Sequence, residues 1–118
     1  MILSLMDQYT ENLDTIFQSL ADPTRRAVIA RLGRGPASVT ELAKPFEMAL
    51  PSFMKHVRQL EDSGLIRTHK HGRVRTCTIE ENKFAMVETW LKEQRILWEA
   101  RLDRLDAFAT KTMKEHTK

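Results

Sequence analysis

The sequence predicts a mainly α-helical domain carrying a two-stranded β-hairpin. Three observations predict it. Apolar residues recur at threes and fours in short segments before Gly64, and again in one long segment after Asn82. Between these, the period falls to two over a pair of β-branched runs. Gly and Pro stand only at the joints between segments.

The first helix is expected over residues 12–20, where Leu13, Ile16, Phe17 and Leu20 form one stripe. Asp22-Pro23 then opens a second helix, because Asp is a good N-cap and Pro suits the first helical position. That helix turns Ala27, Val28, Ile29 and Leu32 inward and is expected to end at Gly33 as a C-cap glycine. After the Gly35-Pro36 turn, Ser38-Val39-Thr40-Glu41 has the spacing of a capping box for a short third helix. Pro45 ends it within about a turn. Pro51 serves the first turn of a fourth helix, with Phe53, Met54, Val57 and Leu60 as its apolar stripe and Ser63-Gly64 as its close. Two short helices joined by a three- or four-residue turn make a helix-turn-helix, here over about 39–63.

The hairpin follows over about 65–79. Leu65–Lys70 and Val74–Ile79 are its strands, and His71-Gly72-Arg73 is its turn. From about 82 to 113 the chain has neither Gly nor Pro. Phe84, Val87, Leu91, Trp98, Leu102, Leu105 and Ala109 recur at helical spacing there. One helix of about 30 residues is expected, on the order of 45 Å long. Its apolar face needs a partner, most simply the same helix of a second copy.

Composition sets outer bounds. With 118 residues, 42% hydrophobic and 30% charged, the chain reads as one globular domain rather than a disordered or disulfide-built one. No apolar run approaches the roughly 18 residues of a membrane span. The apolar opening Met1–Met6 is short, lacks a basic flank and meets Asp7 at once, so no signal peptide and a cytoplasmic location are expected. The single cysteine, Cys77, suits a reducing compartment.

Net charge is only +3, but it is unevenly placed. Residues 1–22 hold four acids and no base; residues 23–37 hold four arginines and no acid; residues 50–75 hold six bases against two acids. A basic middle on an otherwise balanced domain points to a polyanion partner.

Helices, helix-turn-helix and basic hairpin in this order make a winged-helix architecture. At the level of motifs the chain resembles the ArsR/SmtB-type winged-helix transcriptional repressors over about Leu13 to Phe108. The resemblance rests on Leu20-Ala21-Asp22-Pro23-Thr24-Arg25-Arg26, on Val39-Thr40-Glu41-Leu42-Ala43, on Lys55-His56-Val57-Arg58-Gln59-Leu60-Glu61-Asp62-Ser63-Gly64-Leu65-Ile66, and on the hairpin with its central Gly72. It implies a homodimer, paired through helices near residues 12–20 and 83–112, that binds a pseudo-palindromic operator in double-stranded DNA. It also implies that the fourth helix enters the major groove and that the wing touches the backbone or minor groove.

On the fourth helix, Ser52, Lys55, His56 and Gln59 share the face away from Phe53, Val57 and Leu60. Lys suits guanine acceptors and Gln pairs with adenine, while Ser52 near the helix N-terminus suits a phosphate. His56 serves equally as a packing or capping residue. Ala49 and Met54 stand where the family commonly has a hydroxyl, so Leu50 or Pro51 is left to meet a thymine methyl. In the wing, Lys70, His71, Arg73 and Arg75 are placed for phosphate contact or for a narrow minor groove.

Arg25 and Arg26 begin a helix, where cations oppose the dipole, so an anionic partner is expected: Asp22, a DNA phosphate, or Asp14 or Glu11.

No metal site and no cofactor are expected. Metal-sensing family members carry paired cysteines in the third helix or His and Asp pairs on the last. Here the third helix has no thiol, and Asp103, Asp106 and His116 lack the spacing. Cys77 with His69 and His71 offers at most three ligands across the hairpin. The resemblance is therefore to the branch without metal-site cysteines, and the effector is open. Cys77, His56 and Glu61 are the ingredients of a thiol triad with no motif to assemble them, so an enzyme is not expected. The alternative function is a winged-helix protein-interaction module without specific DNA binding.

Overall fold

A computed structural model describes the backbone of residues 2–116 and the side chains of residues 7–111. The opening Met1–Met6 side chains and His116 lie outside that described set. The elements run α1 (Ile2–Leu20), α2 (Pro23–Leu32), β1 (Ala37–Ser38), α3 (Val39–Ala43), α4 (Leu50–Asp62), β2 (Ile66–His71), β3 (Val74–Ile79) and α5 (Glu81–His116). The chain divides into two compact units, Met1–Ala85 and Met86–Lys118, the second holding the remainder of α5 to His116.

In the first unit, apolar stripes meet in one core. Leu13 and Ile16 of α1, Val28 and Leu32 of α2, Leu42 of α3, and Phe53, Val57 and Leu60 of α4 are all buried. Leu65, Ile66 and Cys77 bring the sheet into the same set of buried residues.

The caps follow the expected chemistry. Asp22 accepts the Arg25 backbone N–H at 3.0 Å, with Pro23 just inside the helix. Ser38 Oγ accepts the Glu41 N–H at 3.1 Å and donates to Glu41 Oε1 at 3.2 Å. The capping box is therefore half made, since the glutamate meets the serine hydroxyl rather than its backbone.

Gly64 ends α4 through a left-handed turn, φ +80°. Gly64 N–H donates to Glu61 O at 2.9 Å, and Leu65 N–H to Leu60 O at 3.1 Å. This is the double closure of a Schellman motif, with its apolar pair, Leu60 and Leu65, fully buried.

Five expectations need correction. α1 begins at Ile2 rather than near residue 12. Ile2, Met6 and Tyr9 carry the stripe of Leu13, Ile16 and Leu20 back at the same spacing, with Tyr9 half-buried. Ala27, expected to turn inward on α2, is exposed, whereas Gly33 caps that helix as expected, in the right-handed region (φ −61°). The connection inside the helix-turn-helix is six residues, 44–49, rather than three or four. Phe46 folds back there, its N–H on Ala43 O at 3.1 Å and its ring stacked on Phe53 at 5.5 Å. The wing belongs to a three-stranded sheet of order β1-β3-β2, not a two-stranded one. β1 pairs Ala37 with Cys77 and Ser38 with Thr76, and two residues are too few to show alternation. Lastly, β2 runs to His71, which pairs with Val74. The turn is then Gly72-Arg73 alone, with Gly72 at φ +64° opening it.

A Cβ at Gly64 would approach Lys83 Cε to 2.8 Å, the movable end of a flexible chain, so the positive φ is the larger obstacle. Gly64→Ala is expected to lower stability by about 1–2 kcal/mol. Urea unfolding should show a lower midpoint with an unchanged slope.

Candidate nucleic-acid interface

The interface is positioned from behind by a polar joint. The last turn of a helix leaves carbonyls without partners and carries partial negative charge. At the end of α1, Arg25 Nε donates to Ser19 O at 2.7 Å and Arg25 Nη2 to Gln18 O at 2.9 Å. Arg26 Nη1 donates to Leu20 O at 2.8 Å. These α1 carbonyls are the partners the two arginines required. They take the place of the expected Asp14 or Glu11, while Asp22 caps the helix as expected.

Arg25 Nη1 also donates to His56 Nδ1 of α4 at 3.1 Å. Nδ1 is thereby the acceptor, and the ring proton of the neutral form sits on Nε2. Asp22 Oδ2 lies 3.7 Å from the same Nδ1. Ser19, fully buried, donates through Oγ to Gln59 O of α4 at 3.4 Å. One corner thus binds α1, α2 and α4 together.

Hydrogen bonding by the Arg25 backbone N–H, with the Arg25 charge adding to it, holds the Asp22 carboxyl below its ordinary 3.8 despite partial burial.

On α4 the structure leaves Leu50, Pro51, Ser52 and Lys55 exposed and Gln59 half-buried. These residues line one helix over Phe53, Val57 and Leu60, which face the core. No side chain caps the helix at Ala49, so its N-terminal turn is not covered by a hydroxyl or carboxylate. His56 differs from the others. It is half-buried, and its Nδ1 turns to the joint. Arg58, which sequence reasoning passed over, is exposed on the same helix.

In the wing, Lys70, His71 and Arg73 are exposed around the turn. Arg75 is held back. Its Nη1 donates to Thr68 Oγ1 at 3.0 Å, and that hydroxyl donates to Glu61 Oε2 of α4. Register explains why, because Lys70 sits directly opposite Arg75. Two cations in one cross-strand pair repel, and the diagonal Thr68 offers Arg75 an alternative. Arg67 is paired with Glu80 at the base of the hairpin.

The pleat also decides the thiol. Cys77 pairs with Thr68, and His69 pairs with Thr76, so Cys77 and the two histidines project from opposite faces. Cys77 is fully buried, and desolvation raises its thiol to about 11, with Glu61 adding to the rise. A thiol held protonated is neither a ligand nor a nucleophile. No cluster of three His, Cys, Asp or Glu fit to hold a metal occurs among the described residues.

A helix-turn-helix followed by a basic β-wing on one small core defines a winged-helix DNA-binding protein. The comparisons make this specific. Residues 20–69 match a family described as a helix-turn-helix domain. The crystal structure of an ArsR family transcriptional regulator is 71% identical, with a TM-score of 0.75, over 76% of this chain and 93% of that one. The HTH-type transcriptional regulator Rv2034 of Mycobacterium tuberculosis is 33% identical over 64% of this chain and 71% of its own. The transcriptional repressor SdpR of Bacillus subtilis is 28% identical over 52% of this chain and 68% of its own. The chain belongs to the ArsR family of transcriptional regulators.

The Asp22 shift fixes a sign for acid stability. A carboxylate with a lowered folded pKa stabilises above its unfolded pKa, and that contribution is lost as pH falls through the folded value. Asp22→Asn keeps a capping oxygen but removes the charge. The stability deficit of the variant is therefore expected at pH 7 and should shrink steadily below pH 3.8. Thermal unfolding of both proteins across acid pH checks this.

Proposed function

We propose that this protein is a homodimeric repressor that binds a pseudo-palindromic operator, with α4 in the major groove and the wing tip on the flanking backbone. The observation that carries the reading is the exposed polar face of α4, held by the Arg25 joint and set beside a basic wing. Lys55 and Gln59 read base edges, and Leu50 or Pro51 meets a thymine methyl. Ser52 at the uncapped start of α4, with Lys70, His71 and Arg73 of the wing, holds phosphates. Arg75 acts by stiffening the wing on α4, and His56 by holding α4 to the joint.

Repression is favoured by the Bacillus subtilis relative, which is named a transcriptional repressor. Dimerisation is supported by the second unit. Leu91, Trp98, Leu102 and Leu105 fall on one stripe of α5 and are each about half exposed or more. An apolar stripe of that length marks an interaction surface. Two-fold pairing requires half-sites about one duplex turn apart, near 34 Å. No described helix is long and apolar enough to cross a membrane, which agrees with a regulator working in the cytoplasm. We assign the chain neither catalysis nor a resident metal.

Fluorescence anisotropy on duplex from the protein's own upstream region, against random duplex and across salt, tests the proposal. A preference of about a thousandfold or more is expected, falling steeply with salt. Arg73→Ala should weaken all sequences alike and flatten the salt slope by about one. Gln59→Ala should relax discrimination at one base pair by about 1–3 kcal/mol. Equal, weak binding to both duplexes with one salt slope would contradict the reading and favour a protein-interaction module.

A further inference from the structure

A cavity of about 560 Å³ opens between α2, α3 and the connection that follows α3. Its buried floor is apolar, with Val28 and Leu42, and Pro45 and Phe46 continue the lining. Charge is confined to residues with more exposure, Arg31, Arg34 and Glu41, leaving one net positive charge on the lining. Arg31 is already engaged, 3.7 Å from Glu41 and donating to Gly35 O at 3.2 Å. Arg34 makes no side-chain hydrogen bond or ion pair among the described residues. The size lies within the range of small-molecule sites, and an apolar floor with a few polar groups is their usual build.

We propose that this cavity is an effector site for a small amphipathic carboxylate, its apolar body on Val28, Leu42 and Phe46 and its carboxylate on Arg34. A bare phosphate would leave that apolar floor unused. A neutral hydrocarbon would leave the Arg34 guanidinium, a fork suited to carboxylate, without a role.

The site is joined to the recognition helix through one ring. Phe46 lines the cavity and stacks on Phe53, which is fully buried beneath α4. An occupant bearing on Phe46 therefore bears on the packing that sets α4. That regulatory consequence rests on the DNA-binding reading above; the binding itself does not.

The probe is 2-naphthoate, with 2-naphthylmethanol as its uncharged analogue, titrated into the full chain and followed by ¹H–¹⁵N NMR. Saturable shifts are expected at residues 27–34 and 41–46, with the alcohol and the Arg34→Glu variant each weakening binding at least tenfold. Ala30→Trp, a plug at an exposed lining position, should abolish the shifts while leaving the folded spectrum intact. On the upstream duplex, saturating 2-naphthoate should change the wild-type Kd at least threefold and leave that of Ala30→Trp unchanged. Absent shifts, shifts centred on Leu91–Leu105, or equal binding of acid and alcohol would overturn the site. Saturated binding with an unaltered Kd would overturn its effector role. Naphthoate binding in a protein that holds no duplex would uphold the site and instead refute the DNA-binding reading.

Discussion

The structure turns on the Arg25 guanidinium. A helix that stops at Leu20 and a helix that starts at Pro23 leave almost no linker between them. The carbonyls at the end of α1 are consequently close to the first turn of α2, and they need donors. Arg25 supplies two of them and its neighbour Arg26 a third. Asp22 offsets the cations at the N-terminus of α2 by capping it. The third arm of Arg25 reaches His56, so the same group that seals α1 also fixes α4. Hydrogen bonds from a charged donor are stronger than neutral ones, and here they fall where three helices meet. Arginine suits this corner because its planar fork serves three acceptors in different directions, which a lysine ammonium on a flexible stem does not match.

From that corner outward, each layer restricts the next. Phe53, Val57 and Leu60 bury one side of α4, so Ser52 and Lys55 on the same helix are left to solvent. The Schellman closure at Gly64 then sends the chain directly into β2. Glu61, Thr68 and Arg75 tie the wing back to α4. α4 and the wing are thus tied into one surface, which is what the proposed reading of a groove and its flanking backbone requires. Positive charge in residues 50–75 sits on this surface by sequence.

Much of this was legible from residues whose chemistry is local. Asp22-Pro23, Ser38 with Glu41, and Gly64 each announce a helix end, because a cap is an interaction within four residues. The stripe of α4 was legible for the same reason, whereas α2 buries only Val28 and Leu32 of its expected inward set, and burial along β3 does not alternate. What escaped depended on partners far along the chain. β1 exists only because β3 passes beside Ala37 and Ser38. The roles of Arg25 and His56 depend on a contact 31 residues apart, which no spacing rule reveals. Arg75 looked like a wing-tip cation because its sequence neighbours are basic, whereas cross-strand register placed Thr68 within its reach. Before Leu13, Ile2, Met6 and Tyr9 continue the spacing of Leu13, Ile16 and Leu20 in threes and fours, so the signal for the longer α1 was present in the sequence and was missed.

The claim that α4 and the wing tip form the DNA surface is tested most directly by amide hydrogen exchange of the full chain, free and saturated with upstream-region duplex. The account predicts slower exchange on binding, concentrated at residues 50–59 and 70–73. Protection confined to α5, or exchange over residues 50–73 that is indifferent to duplex, would contradict it.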